Sequence, residues 1–143
     1  MTSALDTIRV GAQLVSAPYL LDAVAAKAYH DGLEQPSRRR PQRNIHEDND
    51  AARKAGFDAP IAGGEQTLAV IAQFLADNFG MRFLRGGRIE VSLTKPVFYG
   101  DTLTSHVRIV SVDSGRAELL INVANQRGDD VLVGSAAIRM SEA

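Results

Sequence analysis

The chain contains no cysteine. That absence excludes disulfide frameworks, thiolate metal sites and cysteine nucleophiles, and it leaves the redox compartment unread. An excess of charge of one sign is also lacking. Sixteen basic residues face 17 acidic ones, for a net charge of -1, which argues against a nucleic-acid partner held on a basic surface. Long hydrophobic runs are missing as well. No stretch reaches the roughly 18 consecutive apolar residues of a membrane span, and Met1 to Val10 lacks the basic segment and apolar run of a secretory leader. The expectation is a soluble, cytoplasmic protein without a membrane partner. What is present suffices for one core: 45% of the 143 residues are hydrophobic, which predicts a single domain over 1–143.

The residue pattern divides the chain in two. A short strand is expected around Leu14 to Pro18, then a helix from Leu21 to Tyr29 with Gly32 as its stop. Residues 35–43 carry two prolines, four arginines and nothing apolar, so they read as a loop. Asp48 or Asn49 is placed to cap a short helix through Ala51, Ala52 and Lys54, ended by Gly56. From Glu65 to Phe79 the apolar residues Leu68, Val70, Ile71, Phe74, Leu75 and Phe79 occupy nearly every face, which predicts a central, enclosed helix (65–79). Beyond Gly80 the period drops to two. Ile89-Val91-Leu93, Leu103-Val107-Ile109, Ala117-Leu119-Ile121-Val123 and Val131-Val133 mark three or four antiparallel strands with turns between them. Helices and strands that segregate in this way make an α+β fold. Its own sheet covers such a helix on one side only, so a second copy is the expected partner, as a homodimer or close heterodimer.

Two segments stand out chemically: Arg43-Asn44-Ile45-His46-Glu47-Asp48 and Ala59-Pro60-Ile61-Ala62-Gly63-Gly64-Glu65. With the helix behind them and Gly100-Asp101-Thr102-Leu103, they resemble the MaoC-like, R-specific enoyl-thioester hydratase and dehydratase family of the hot-dog fold. The resemblance spans roughly residues 8–140 and is carried by Ile45, His46, Asp48, Ala51-Ala52, Ile61, Ala62 and Gly64. It implies a curved sheet around helix 65–79 and an acyl thioester, of coenzyme A or an acyl-carrier protein, lying near the helix start. The residues are consistent with that chemistry on their own terms. Glycine at 63 and 64 lets a substrate approach the N–H groups and positive dipole of a helix N-terminus, where an enolate oxygen is stabilised. The plainer role of those glycines is a tight turn. His46 is the candidate acid or base, since an imidazole exchanges protons near neutrality. The competing histidines are less well placed: His30 ends the first helix, and His106 lies opposite the apolar row of its strand.

The chain also departs from the family pattern. Pro41 stands where the family has its Asp, Arg43 where it has Asn, Asn44 where it has Pro, and Gly63 where it has His. A proline carries no proton, so another carboxylate is needed: Asp31 or Glu34 folding back from the long loop, Glu65 at the helix start, or Asp48 orienting the imidazole. The plainer roles of the last two are a favourable helix-terminus charge and a helix cap. Catalysis is accordingly expected from His46, Glu65, Asp48 and Glu34, and substrate contact from Asn44, Gly63, Gly64 and Arg43. Arginines 38–40 and 43 suit the phosphates of coenzyme A or the acidic surface of a carrier protein, or simply a solvated loop. No cofactor or metal is implied. The same residues leave other reactions open: isomerisation, epimerisation or cyclisation through the same enolate, thioester hydrolysis using Glu65, or a subunit that only binds the acyl chain.

Overall fold

The computed structural model describes residues 8–33 and 44–142. In chain order these form β1 (Gln13–Val15), β2 (Tyr19–Leu20), α1 (Ala23–Leu33), α2 (Asn49–Lys54), α3 (Gly64–Phe79), α4 (Met81–Leu84), β3 (Arg88–Leu93), β4 (Thr102–Val112), β5 (Arg116–Ala124) and β6 (Asp130–Arg139). The strands make one antiparallel sheet in the order β1-β4-β5-β6-β3, with β2 also paired to β4.

The expected first strand is two. Ser16-Ala17-Pro18 interrupts it, since a proline has no N–H to give a ladder, and both pieces pair with β4 through Leu14 opposite Val107 and Tyr19 opposite Leu103. Helix α1 begins where Asp22 Oδ1 accepts from Ala25 N at 2.6 Å and runs to Leu33, past the glycine expected to stop it. A glycine inside a helix costs about 1 kcal/mol and does not end it. Strand β3 follows α4 but crosses to the far side of the sheet to pair with β6, not with β4, its neighbour in sequence.

The inward rows of the sheet are set by register. Leu103, Val107 and Ile109 on β4 join Ala117, Leu119, Ile121 and Val123 on β5 and Leu132, Ala136 and Ile138 on β6, and α3 adds Ile71, Leu75 and Phe79. Register shifts at Ile109/Ser111 and Val123/Ala124 bend β4 and β5, as bulges do, and so help the sheet curve around the helix. Helix α3 starts one residue earlier than expected and is capped at Gly80. Among the described residues its cover is uneven. Ile71 and Leu75 are fully buried against the sheet, while Leu68 keeps 37% of its surface and, on edge strand β3, Leu93 keeps 56%.

Candidate active site

The segment before α2 is folded by its own polar side chains. Asn44 Oδ1 accepts from His46 N at 2.9 Å, which closes a tight Asx turn, and Asn44 O accepts from Asp48 N at 2.9 Å. Asp48 sits in extended backbone and its Oδ1 accepts from Ala51 N at 2.8 Å. It is the N-cap of α2, and the buried Ala52 anchors that helix.

This turn is stitched to the approach to α3. Ile61 N donates to Ile45 O at 3.0 Å, and Ala62 N donates to Val97 O at 2.7 Å. The His46 ring then meets Ile61 O through Nδ1 at 2.8 Å. A carbonyl can only accept, so Nδ1 carries the proton and a neutral ring keeps its lone pair on Nε2. The ring's orienting partner is therefore a backbone carbonyl, and Asp48 spends its bonding on the cap. Because Ile61 lies three residues before Gly64, the imidazole is fixed close to the start of α3.

At that start, Gln66 N closes the first turn onto Gly63 O at 3.0 Å. The earlier N–H groups have no acceptor within the helix, and the dipole adds partial positive charge there. Gly64 lies directly under Leu93, because a Cβ at that position would meet Cδ1 of that side chain and oblige it to move. At Gly63 a Cβ would come within 2.8 Å of both carboxylate oxygens of Glu65. Glu65 thus folds back over Gly63. Tyr99 completes the cluster by donating from its hydroxyl to His46 O at 2.9 Å. Burial, then the negative charges of Glu47 and Glu65, push the Tyr99 hydroxyl above its ordinary pKa.

His46, Asn44, Gly63, Gly64 and Glu65 are therefore drawn into one region, and Asp48 stands beside it with a structural task. Glu34 and Arg43, with Arg38 to Arg40 and Pro41, lie outside the described residues, as does the side chain of Asp31. His106 is half-buried on β4 between the inward-facing Ser105 and Val107. Among the described residues no three His, Cys, Asp or Glu side chains converge as a metal site, and no helix is long and apolar enough to cross a membrane.

Beside the first turn of α3 opens a cavity of about 520 Å³, bounded by the Ser16–Leu21 segment, α1, α3 and Ser105 of β4. Ala17, Ala25, Ala26 and Ala69 make the room, while Val70 and Phe74 supply apolar wall. Two polar side chains in that wall are almost wholly buried, Gln66 and Ser105. Gln66 Nε2 donates to Ala26 O at 3.2 Å, but Gln66 Oε1 and Ser105 Oγ have no hydrogen-bond partner among the described residues. Each such orphan costs roughly 1–3 kcal/mol. Sequence reasoning missed Tyr99, Gln66 and Ser105. Tyr99 was hidden in a turn signal, whereas Ser105 was discoverable, since the period of two puts it on the inward face with Leu103 and Val107.

The family whose sequence pattern matches the chain is the MaoC like domain, over residues 43–129. No curated protein matches it. Among solved structures, the MaoC-like dehydratase from Rhodospirillum rubrum is 25% identical with a TM-score of 0.70, over 92% of this chain and 91% of that one. The (R)-hydratase from A. caviae involved in PHA biosynthesis is 21% identical with a TM-score of 0.68, over 94% and 98%. A HadBC (3R-hydroxyacyl-ACP dehydratase) complex from Mycobacterium tuberculosis is 17% identical with a TM-score of 0.64, over 90% and 96%. The architecture they share with this chain is the hot-dog fold, a curved antiparallel sheet with a central helix.

Proposed function

This chain belongs to the MaoC like domain family, and on that premise we propose that it adds water to an enoyl thioester, or removes it from a 3-hydroxyacyl thioester, presented by coenzyme A or an acyl-carrier protein. The observation that carries the reading is the His46 ring held through Nδ1 to Ile61 O at 2.8 Å, three residues before the N-terminal turn of α3. In the hydration direction, Nε2 of His46 takes a proton from water as its oxygen bonds to C3 of the enoyl group. The double-bond electrons move to C2 and onto the thioester oxygen, where the N–H of Gly64 and the helix dipole stabilise the enolate. Return of a proton to C2 completes the addition, and dehydration is the reverse.

A second proton-handling group is needed, and Pro41 occupies the place of the family's Asp. Glu65 is the carboxylate we assign to that work, because it folds back over Gly63 at the helix start. Glu34 is the alternative from the preceding loop. Asn44 shapes the loop that presents His46, and Arg43 suits the phosphates of coenzyme A or the acidic face of a carrier protein. The partly exposed Leu68 and Leu93, beside the free edge of β3, support pairing with a second hot-dog subunit of the same or a related chain.

The departure at Pro41 favours a second reading, in which the same histidine and enolate site isomerise or cyclise an acyl thioester without adding water. A subunit that binds the acyl chain without turnover is the third. The deciding experiment follows enoyl-CoA absorbance with wild type and His46→Ala, in water enriched in heavy oxygen. Hydration predicts label in the product and a loss of about 10²–10⁴ in kcat/KM for His46→Ala. Turnover without label replaces it with isomerisation or cyclisation, and equal rates for wild type and variant remove the catalytic reading altogether.

A further inference from the structure

Resting on the thioester reading above, we propose that the acyl chain this protein accepts carries a neutral hydroxyl group along its length, held in the cavity beside α3 by Gln66 and Ser105. The cavity volume, about 520 Å³, lies within the range of small-molecule sites. Its wall follows α3 from Gln66 in the first turn to Asp77 near the last. Eleven residues at the rise of an α-helix span about 16 Å, so the space is long enough for an extended chain that starts by the first turn of α3.

The wall is apolar except at a few points, and two of these are unsatisfied. Gln66 retains 4% of its surface and Ser105 none. Gln66 Nε2 is committed to Ala26 O, and since that carbonyl only accepts, the amide orientation is set and Oε1 must be the outstanding acceptor. Ser105 Oγ has a donor and acceptor capacity that nothing takes up. Buried polar groups in folded proteins are nearly always paired. Two orphans on one cavity wall mark where a polar group of a ligand belongs.

The chemistry narrows that group. Gln66 Oε1 requires a donor, which a hydroxyl supplies and a ketone or ether does not. Ser105 Oγ, on the wall of the same cavity, can donate to a hydroxyl or accept from one. Among the described lining residues the only charged group is Asp77, and none is Lys, Arg or His, so these residues would repel a carboxylate or phosphate on the chain and leave it unpaired. A plain alkyl chain would seal both orphans away from water with nothing in exchange.

The test compares trans-2-enoyl-CoA substrates of one chain length, unsubstituted or hydroxylated at each interior carbon in turn, by kcat/KM. Wild type should prefer one hydroxylated position by about tenfold or more over the plain chain, because a site built for a hydroxyl rejects the analogue lacking it. In Ser105→Ala and in Gln66→Leu that ratio should fall towards one. A wild-type ratio of one or less at every position, or a ratio unchanged in both variants, overturns the proposal. Thermal unfolding confirms that each variant is folded, and the two substitutions stand independently. Calorimetric binding of the corresponding saturated acyl-CoA pair separates the two readings. Preferential binding of the hydroxylated chain without turnover of any enoyl thioester sustains this proposal and removes the hydratase reading. Turnover of all chains without preference removes this proposal alone.

Discussion

The Tyr99 hydroxyl donates to the backbone oxygen of His46 at 2.9 Å, across 53 residues of chain. The turn after β3 thereby holds the loop that carries the imidazole. Tyr99→Phe removes one net hydrogen bond, worth about 0.5–1.5 kcal/mol, and should lower kcat more than it changes KM, because the ring is displaced while the acyl cavity is untouched. The same contact has a pH signature. With the folded pKa raised by burial and by Glu47 and Glu65, the contribution of the neutral phenol is intact below the unfolded value near 10 and is lost as the pH rises through the higher folded value. The stability difference between wild type and Tyr99→Phe, measured by denaturant titration, should therefore be level from neutral pH to about 9 and shrink above 10.

Gly64 and Leu93 form a steric pair. Gly64→Ala brings a Cβ against Cδ1 of Leu93, the end of a flexible and partly exposed side chain, so the displacement should cost only about 0.5–1.5 kcal/mol. The double variant with Leu93→Ala should recover most of the lost stability, as a lowered and then restored unfolding midpoint. Additive losses in that cycle would mean that the two side chains do not share the space.

Asp48 is expected to matter for stability and little for chemistry. Asp48→Ala removes the acceptor for Ala51 N and should cost about 0.5–2 kcal/mol, whereas Asp48→Asn should restore most of it, since asparagine caps as well as aspartate. If Asp48→Asn instead folds normally but loses a hundredfold in kcat, the carboxylate has a role beyond the cap.

Glu65→Gln is the contrasting case. The side chain is exposed, and exchanging its charge for an amide at a helix start should lower the unfolding free energy by no more than about 1 kcal/mol. Turnover should fall by about 10²–10⁴ if the carboxylate moves a proton. A normal rate would transfer the role to Glu34, and Glu34→Gln would then carry the loss.

Apolar residues on nearly every face made α3 readable, and a period of two did so for the strands after it, with Gly80 and Gly128 as punctuation. The fate of β3 was not readable in the same way. Alternation in Ile89-Val91-Leu93 defines a strand but not its partner, and its crossing to β6 depends on the whole sheet closing around α3. Gly32 misled because a glycine permits a helix end without requiring one. In the site, His46 and the Gly63-Gly64 entry were visible as residue types that suit proton transfer and oxyanion binding. Their joining through Ile61 O was not, since a backbone carbonyl leaves no mark in the side-chain sequence. Gln66 was concealed by the apolar residues around it, and its unpaired oxygen shows only once Ala26 is seen to take the other end of the amide.

The link from His46 Nδ1 to Ile61 O spans 15 positions, and α2 occupies the interval between them. The ring's place depends on positions 45–46 and 61–62 keeping their pairing, so a change in α2 reaches it only through the Asp48 cap and the packing of Ala52. The short tether from Ile61 to Gly64 has no slack. One inserted residue there would move the proton carrier and the anion cradle out of step, and homologous sequences should hold that tether at constant length.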